Sequence, residues 1–259
     1  MLVVLVAVLA GCGGHSSKGP KGGSPSKSPS ASTSDKPAAD PGSGVAKVGQ
    51  CFAMTAAQTR ASVAAAARVS CRKQHTTVVS YVGYVPQAIT PVTPLATRRA
   101  LATKVCAPAF RALAGGTLAD RAQSILTWTF FTPGQAELLR GARWVRCDVV
   151  ARSGDGLATL PAATPFLARG VPEQLRVCET QGGVEVACTR PHAFRVAGVF
   201  RAPGATYPGV STQVARDRCH DLLRGFGGFF QVPSRQGWAA DDRFVRCLGP
   251  IPPQPAPSP

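Results

Sequence analysis

Nine cysteines are the strongest limit on how this chain can fold, because eight of them fall in two sets of four: Cys51, Cys71, Cys106 and Cys147, then Cys178, Cys188, Cys219 and Cys247. Both sets sit in matching text. Cys71 and His75 stand in "CRKQH", Cys188 and His192 in "CTRPH", both C-x3-H. Each histidine precedes a Val-rich run holding a glycine, Gly83 or Gly198, with the alternating texture of a strand. The third cysteine of each set is followed by C-x4-R, giving Arg111 and Arg224, and then by the paired glycines Gly115 and Gly116 or Gly227 and Gly228. The sets close on "RWVRC", Arg143 to Cys147, and "RFVRC", Arg243 to Cys247. Landmarks repeated in this order predict a module duplicated in tandem.

The expected fold class is α+β: two tandem small disulfide-stapled modules, each an antiparallel sheet with one main packed helix, after a disordered tether. In the first module Thr93 is expected to cap the helix, with Pro94 at its first position and Leu101, Val105, Ala109 and Leu113 on one face. In the second, Ser211 or Thr212 is the expected cap, and the glycines at 227 and 228 are the expected stop. Strands are expected at "SILTWTFF" and "GFFQV". The boundaries read as a signal peptide at 1–11, a tether at 12–48, module 1 at 49–152, a linker at 153–174, module 2 at 175–250 and a Pro-rich tail at 251–259.

Residues 1–10, "MLVVLVAVLA", form an apolar run too short to span a bilayer and suited to the h-region of an export signal. The run ends in "LAGC", the pattern of a bacterial lipobox, which makes Cys12 the expected site of lipid attachment. Two acyl chains on that cysteine would supply the two signals that stable anchoring needs. The expected location is therefore extracytoplasmic, on the outer face of the cell membrane. From residue 13 to about 49 the chain is rich in Ser, Gly, Pro and Lys and cannot bury enough apolar surface to fold. A coil of that length reaches roughly 30 Å. His15 within it is expected to be inert.

Export favours oxidised cysteines, and four per module allow three pairings that sequence cannot separate. The favoured set is Cys51–Cys71, Cys106–Cys147, Cys178–Cys188 and Cys219–Cys247. Its first bridges bracket a hairpin-sized stretch, and its second ones would tie the helix to the closing strand. The rival is zinc held through the C-x3-H motifs. No metal or other cofactor is the preferred expectation, with His75 and His192 fixing turns through backbone bonds or contacting a ligand.

The net charge of +16, concentrated in the first module, points to anionic partners. Outside the cytoplasm these are wall polymers or lipid head groups, and nucleic acid is not expected. Arg143 with Arg243, Arg146 with Arg246, and Arg111 with Arg224 are the candidate contacts, although arginines packed over a sheet are the ordinary alternative. Acids do not repeat between the modules: Glu137 faces Gly237 and Asp148 faces Leu248. An enzyme is therefore the lesser expectation, and no catalytic residue is assigned.

In the second module, Cys188, Pro191, His192, Gly198, Tyr207, Pro208, Gly209, Cys219, Pro233, Trp238, Arg243 and Cys247 form an order that resembles the septum formation domain of actinobacterial envelope proteins. The first module supplies Cys51, Phe52, Cys71, His75, Gly83, Cys106, Pro133, Gly141, Arg143 and Cys147. Leu138 stands where the tryptophan would be in the first module, and Asp241 where the glycine would be in the second. The resemblance implies an envelope protein connected with cell division and carries no reaction with it. The expectation is a non-catalytic lipoprotein that binds or scaffolds, with a wall polymer or a division-complex protein as partner. The alternatives are a wall-modifying hydrolase or transferase, and a metal or small-ligand binder using the C-x3-H motifs.

Overall fold

The structure, a computed structural model, describes residues 45–61, 66–84, 92–225, 227–239 and 242–251. The expected signal peptide, Cys12, His15, the tether up to residue 44 and the tail from residue 252 lie outside the described residues. In chain order the elements are β1 (Cys51–Phe52), α1 (Ala56–Arg60), β2 (Arg68–Val69), β3 (Thr77–Tyr84), α2 (Leu95–Ala114), α3 (Leu118–Ala122), β4 (Leu126–Phe131), α4 (Gln135–Leu139), β5 (Trp144–Ser153) and β6 (Gly156–Leu157). The second half continues with β7 (Val177–Glu179), β8 (Glu185–Ala187), β9 (Phe194–Arg201), α5 (Thr212–Leu222), β10 (Phe229–Gln231), α6 (Arg235–Ala239) and β11 (Phe244–Pro250). The fold is α+β, with antiparallel sheets and four disulfides.

The first sheet runs β2-β1-β3-β5-β4, with β6 added to β5, and the second runs β8-β7-β9-β11-β10. Strand for strand the order is the same. Even an irregularity matches: Tyr81 pairs with Cys147 and Val79 with Asp148, leaving Ser80 extra, while Gly198 pairs with Cys247 and Val196 with Leu248, leaving Ala197 extra. A bulge of this kind bends and twists the strand that carries it. The register sets Gly198 opposite the position of Tyr81, so Gly83 and Gly198 are not counterparts.

The disulfides form the set favoured by the sequence: Cys51–Cys71, Cys106–Cys147, Cys178–Cys188 and Cys219–Cys247. In each half one bridge closes the β1/β2 or β7/β8 hairpin and the other pins the main helix to the closing strand. That pin also sets the helix face. On α2 the buried residues are Ala102, Cys106, Ala107 and Ala114, while Leu101, Val105, Ala109 and Leu113 are only half-buried. The apolar stripe expected from spacing is thus turned about one position, because Cys106 must meet Cys147. The helix begins at Leu95 with Pro94 as its cap position, one residue later than expected. Ser211 caps α5 by accepting from the Val214 N–H at 3.2 Å. The helix stops at Leu222, before the expected glycines, and Arg224 (φ 51°) and Gly225 (φ 79°) carry the chain away.

The stretch 153–174, expected as a linker, is built into the core. Leu160, Phe166, Leu167 and Val171 are buried in one cluster with Cys51, Val78 and Val149 of the first half and Val177, Val196 and Leu248 of the second. Such residues leave water only if both halves close on them. Gly115 (φ 69°) allows the close fit at the end of α2, since a Cβ there would lie 2.5 Å from the Pro165 side chain. Backbone bonds cross the joint as well: Ile125 N–H to Leu175 O (2.8 Å), Val177 N–H to Gln123 O (2.9 Å) and Gly154 N–H to Glu185 O (2.8 Å). The described residues accordingly belong to one compact unit.

Candidate functional site

Both C-x3-H motifs fold as the same turn. His75 Nδ1 donates to Lys73 O at 2.9 Å and His192 Nδ1 to Arg190 O at 2.6 Å, so each imidazole ties off the residue two positions before it. A ring nitrogen facing a carbonyl must carry the proton, which sets the tautomer. The Cys178 and Cys188 sulfurs and a His192 nitrogen lie within 4.8 Å of one another. Those sulfurs are bonded to each other, however, and a disulfide offers no thiolate to zinc.

The paired arginines part company. Arg146 is buried, its guanidinium lying 4.1 Å from the Phe52 ring centre and 5.2 Å from that of Phe131. Its Nε and Nη2 donate to the two oxygens of Asp148 at 2.7 and 2.5 Å. Burial pushes the Asp148 carboxyl above the usual range, and the Arg146 fork opposes that shift. As a candidate surface contact, Arg146 is corrected by this enclosure: no ligand in solution meets it. Arg246 occupies the same register position but donates from Nε to Ala122 O (2.6 Å) and from Nη1 to Glu185 (2.7 Å), clasping α3 to β8. Arg143 closes α4 through Leu138 O (3.0 Å) and Ala142 O (2.7 Å). Arg243 lies 4.6 Å from the Trp238 ring centre; Arg111 is exposed in the last turn of α2, and Arg224 is exposed just past the end of α5.

Two features of the surface had little or no signal in the sequence. The first is a stack in which Arg235 covers Tyr207 at 4.7 Å, Tyr207 meets Trp238 edge-on at 6.1 Å, and Arg243 covers Trp238. Gly209 (φ 75°) makes room for it, since a Cβ there would fall 2.2 Å from the Trp238 ring. A groove of about 480 Å³ beside the stack is lined by Pro203, Tyr207, Pro208, Val210 and Val214. The "YPG" motif and Trp238 are visible in the sequence; their contact across about thirty residues is not.

The second feature is a cleft of about 350 Å³ at the joint between the halves, lined by Ser153, Leu157, Thr159, Gln174, Thr189 and Arg190. Arg190 Nη1 donates to Ser153 O at 2.9 Å, and the Ser153 hydroxyl accepts from Ala187 N–H at 3.0 Å. Thr189 and Arg190 belong to the second C-x3-H motif. Their companions come from the aperiodic stretch between the halves, which gave no hint of them.

Near the joint, Glu179 on β7 is also buried, and Gln231 Nε2 donates to its carboxylate. Burial first, and then the neighbouring Glu185 charge, raise its pKa above the ordinary 4.5, while the Gln231 bond works the other way.

No curated protein and no solved structure matches the chain. A family model described as septum formation matches residues 48–231, from just before β1 to the end of β10. Its span takes in strands of both sheets and the whole stretch between them. On that match, the chain belongs to the septum formation family.

Proposed function

We propose that this protein is a lipid-anchored, extracytoplasmic binding protein of the cell envelope that works where the septum is built. The observation that carries the reading is the family match across both halves. Four disulfides in one folded unit suit an oxidising compartment, and the "LAGC" sequence supplies an anchor at Cys12. The role is binding or scaffolding without catalysis, and the partner is an anionic wall polymer or a protein of the division complex. Arg111, Arg224 and the Arg235–Tyr207–Trp238–Arg243 stack are the groups on the surface suited to such contacts.

The test is imaging of a C-terminal fluorescent fusion in dividing cells of the native host. Enrichment at the septum, and release from the membrane on Cys12→Ala, are the expected results. An even envelope signal throughout division would overturn the septal role, and unchanged membrane association of the Cys12→Ala protein would overturn the lipid anchor.

A further inference from the structure

We propose that the cleft at the joint binds a small ligand through an oxyanion, a carboxylate or phosphate group, held by the Arg190 guanidinium and the hydroxyls of Ser153, Thr159 and Thr189. This inference stands on the geometry of the cleft and does not depend on the septal reading. A volume of about 350 Å³ accommodates a group of roughly dipeptide size, and joints between folded parts are a favoured place for ligand sites.

The lining is one of donors. It holds a guanidinium, three hydroxyls and the Gln174 amide, and no carboxylate. Ser153 is 2% exposed. Its oxygen accepts from Ala187 N–H, and its own O–H has no acceptor among the described residues. A buried hydroxyl in that state favours a ligand oxygen, because a buried donor left without an acceptor is costly. Arg190 keeps its charge available. Of its guanidinium nitrogens only Nη1 has a protein partner among the described residues, the Ser153 carbonyl. Of the acids on neighbouring elements, Glu173 is engaged with Arg176 (3.2 Å) and Arg195 (2.6 Å) and Glu185 with Arg246 (2.7 Å), while Asp155, in the turn after β5, is exposed and does not line the cleft.

Arg190 is also held in place before any ligand arrives. Cys188 is bridged to Cys178, Arg190 N–H donates to Ala187 O at 2.9 Å, and the His192 ring ties the Arg190 carbonyl at 2.6 Å. Gly154 (φ 61°) completes the arrangement, since a Cβ there would sit 3.3 Å from Arg190 Nη1. The second C-x3-H motif thereby acts as a mount for its central arginine, and a donor fixed in advance loses little entropy on binding. In the first half the same turn places Lys73 at this position. There the stretch between the halves is bonded straight onto the turn, Leu160 N–H to His75 O at 2.9 Å.

The test uses the full chain, isotopically labelled with its disulfides intact, and three probes: an N-acetylated dipeptide with a free C-terminal carboxylate, the same dipeptide as its C-terminal amide, and glycerol phosphate. Saturable shifts of the Thr159, Gln174, Thr189 and Arg190 amide resonances are expected with at least one anionic probe and not with the amide. Whichever anion binds identifies the source. Arg190→Gln, an exposed position, should weaken that binding about ten-fold or more while leaving the rest of the spectrum in place. Thr189→Val should weaken it less. Absence of saturable shifts with both anions, equal binding of the amide, or unchanged affinity in Arg190→Gln would each overturn the proposal.

Discussion

Matched positions in the two halves carry different chemistry, and the residue scale shows why. Phe52 and Phe131 of the first half, which enclose Arg146, correspond by register to Glu179 and Gln231 of the second, and Asp148 corresponds to Leu248. In one half the arginine is shut in with a carboxylate; in the other it reaches out to Ala122 and Glu185 and the carboxylate sits elsewhere. The sequence shows "RWVRC" and "RFVRC" as equals, and only their neighbours on adjacent strands tell them apart. Glu179 has a further consequence. Its folded-state pKa lies above the ordinary 4.5, so the folded chain holds this proton to higher pH than the unfolded chain does. The stability it contributes is complete below that ordinary value and is lost as pH rises through the folded pKa. Glu179→Gln should therefore raise the urea midpoint at pH 7.5, with the gain shrinking toward pH 4. A gain of equal size at both pH values would contradict the burial account.

At the scale of elements, strands were the legible part. β3, β4, β9 and β10 lie where their β-branched and aromatic runs put them, since alternation reports directly on a half-buried pleat. The helices were less so. The faces of α2 and α5 are dictated by Cys106 and Cys219, whose partners lie 41 and 28 residues away. No local spacing reports that. The bridges also differ in expected weight. In the chain-entropy account, closing the 41-residue loop of Cys106–Cys147 contributes about 4 kcal/mol and the 10-residue loop of Cys178–Cys188 about 3 kcal/mol. Replacing each pair by serines should lower unfolding free energies in that order, as read from urea curves. A larger loss from the shorter bridge would mean that native packing around β7 and β8, and not loop closure, sets its contribution.

Across the whole molecule, the two sheets share one strand order and each half carries four of the cysteines, but the cysteine pattern says nothing about how the sheets join. The stretch 153–174 looked like a linker because its apolar residues follow no period. Leu160, Phe166, Leu167 and Val171 are instead spaced to fill the gap between two surfaces, a pattern that neither helix nor strand periodicity detects. The cleft was hidden for the same reason, since Ser153 and Thr159 meet Arg190 only once the halves have closed. The family match from residue 48 to 231 crosses this joint. A core shared across the joint predicts that the two halves unfold together.

Scanning calorimetry of the intact, oxidised chain beside Arg246→Ala puts this to the test. One transition is expected, with calorimetric and van't Hoff enthalpies in agreement, and a lower melting temperature in the variant that loses the clasp between α3 and β8. Two separate transitions, with the variant moving only one of them, would show that the halves fold independently and contradict the account.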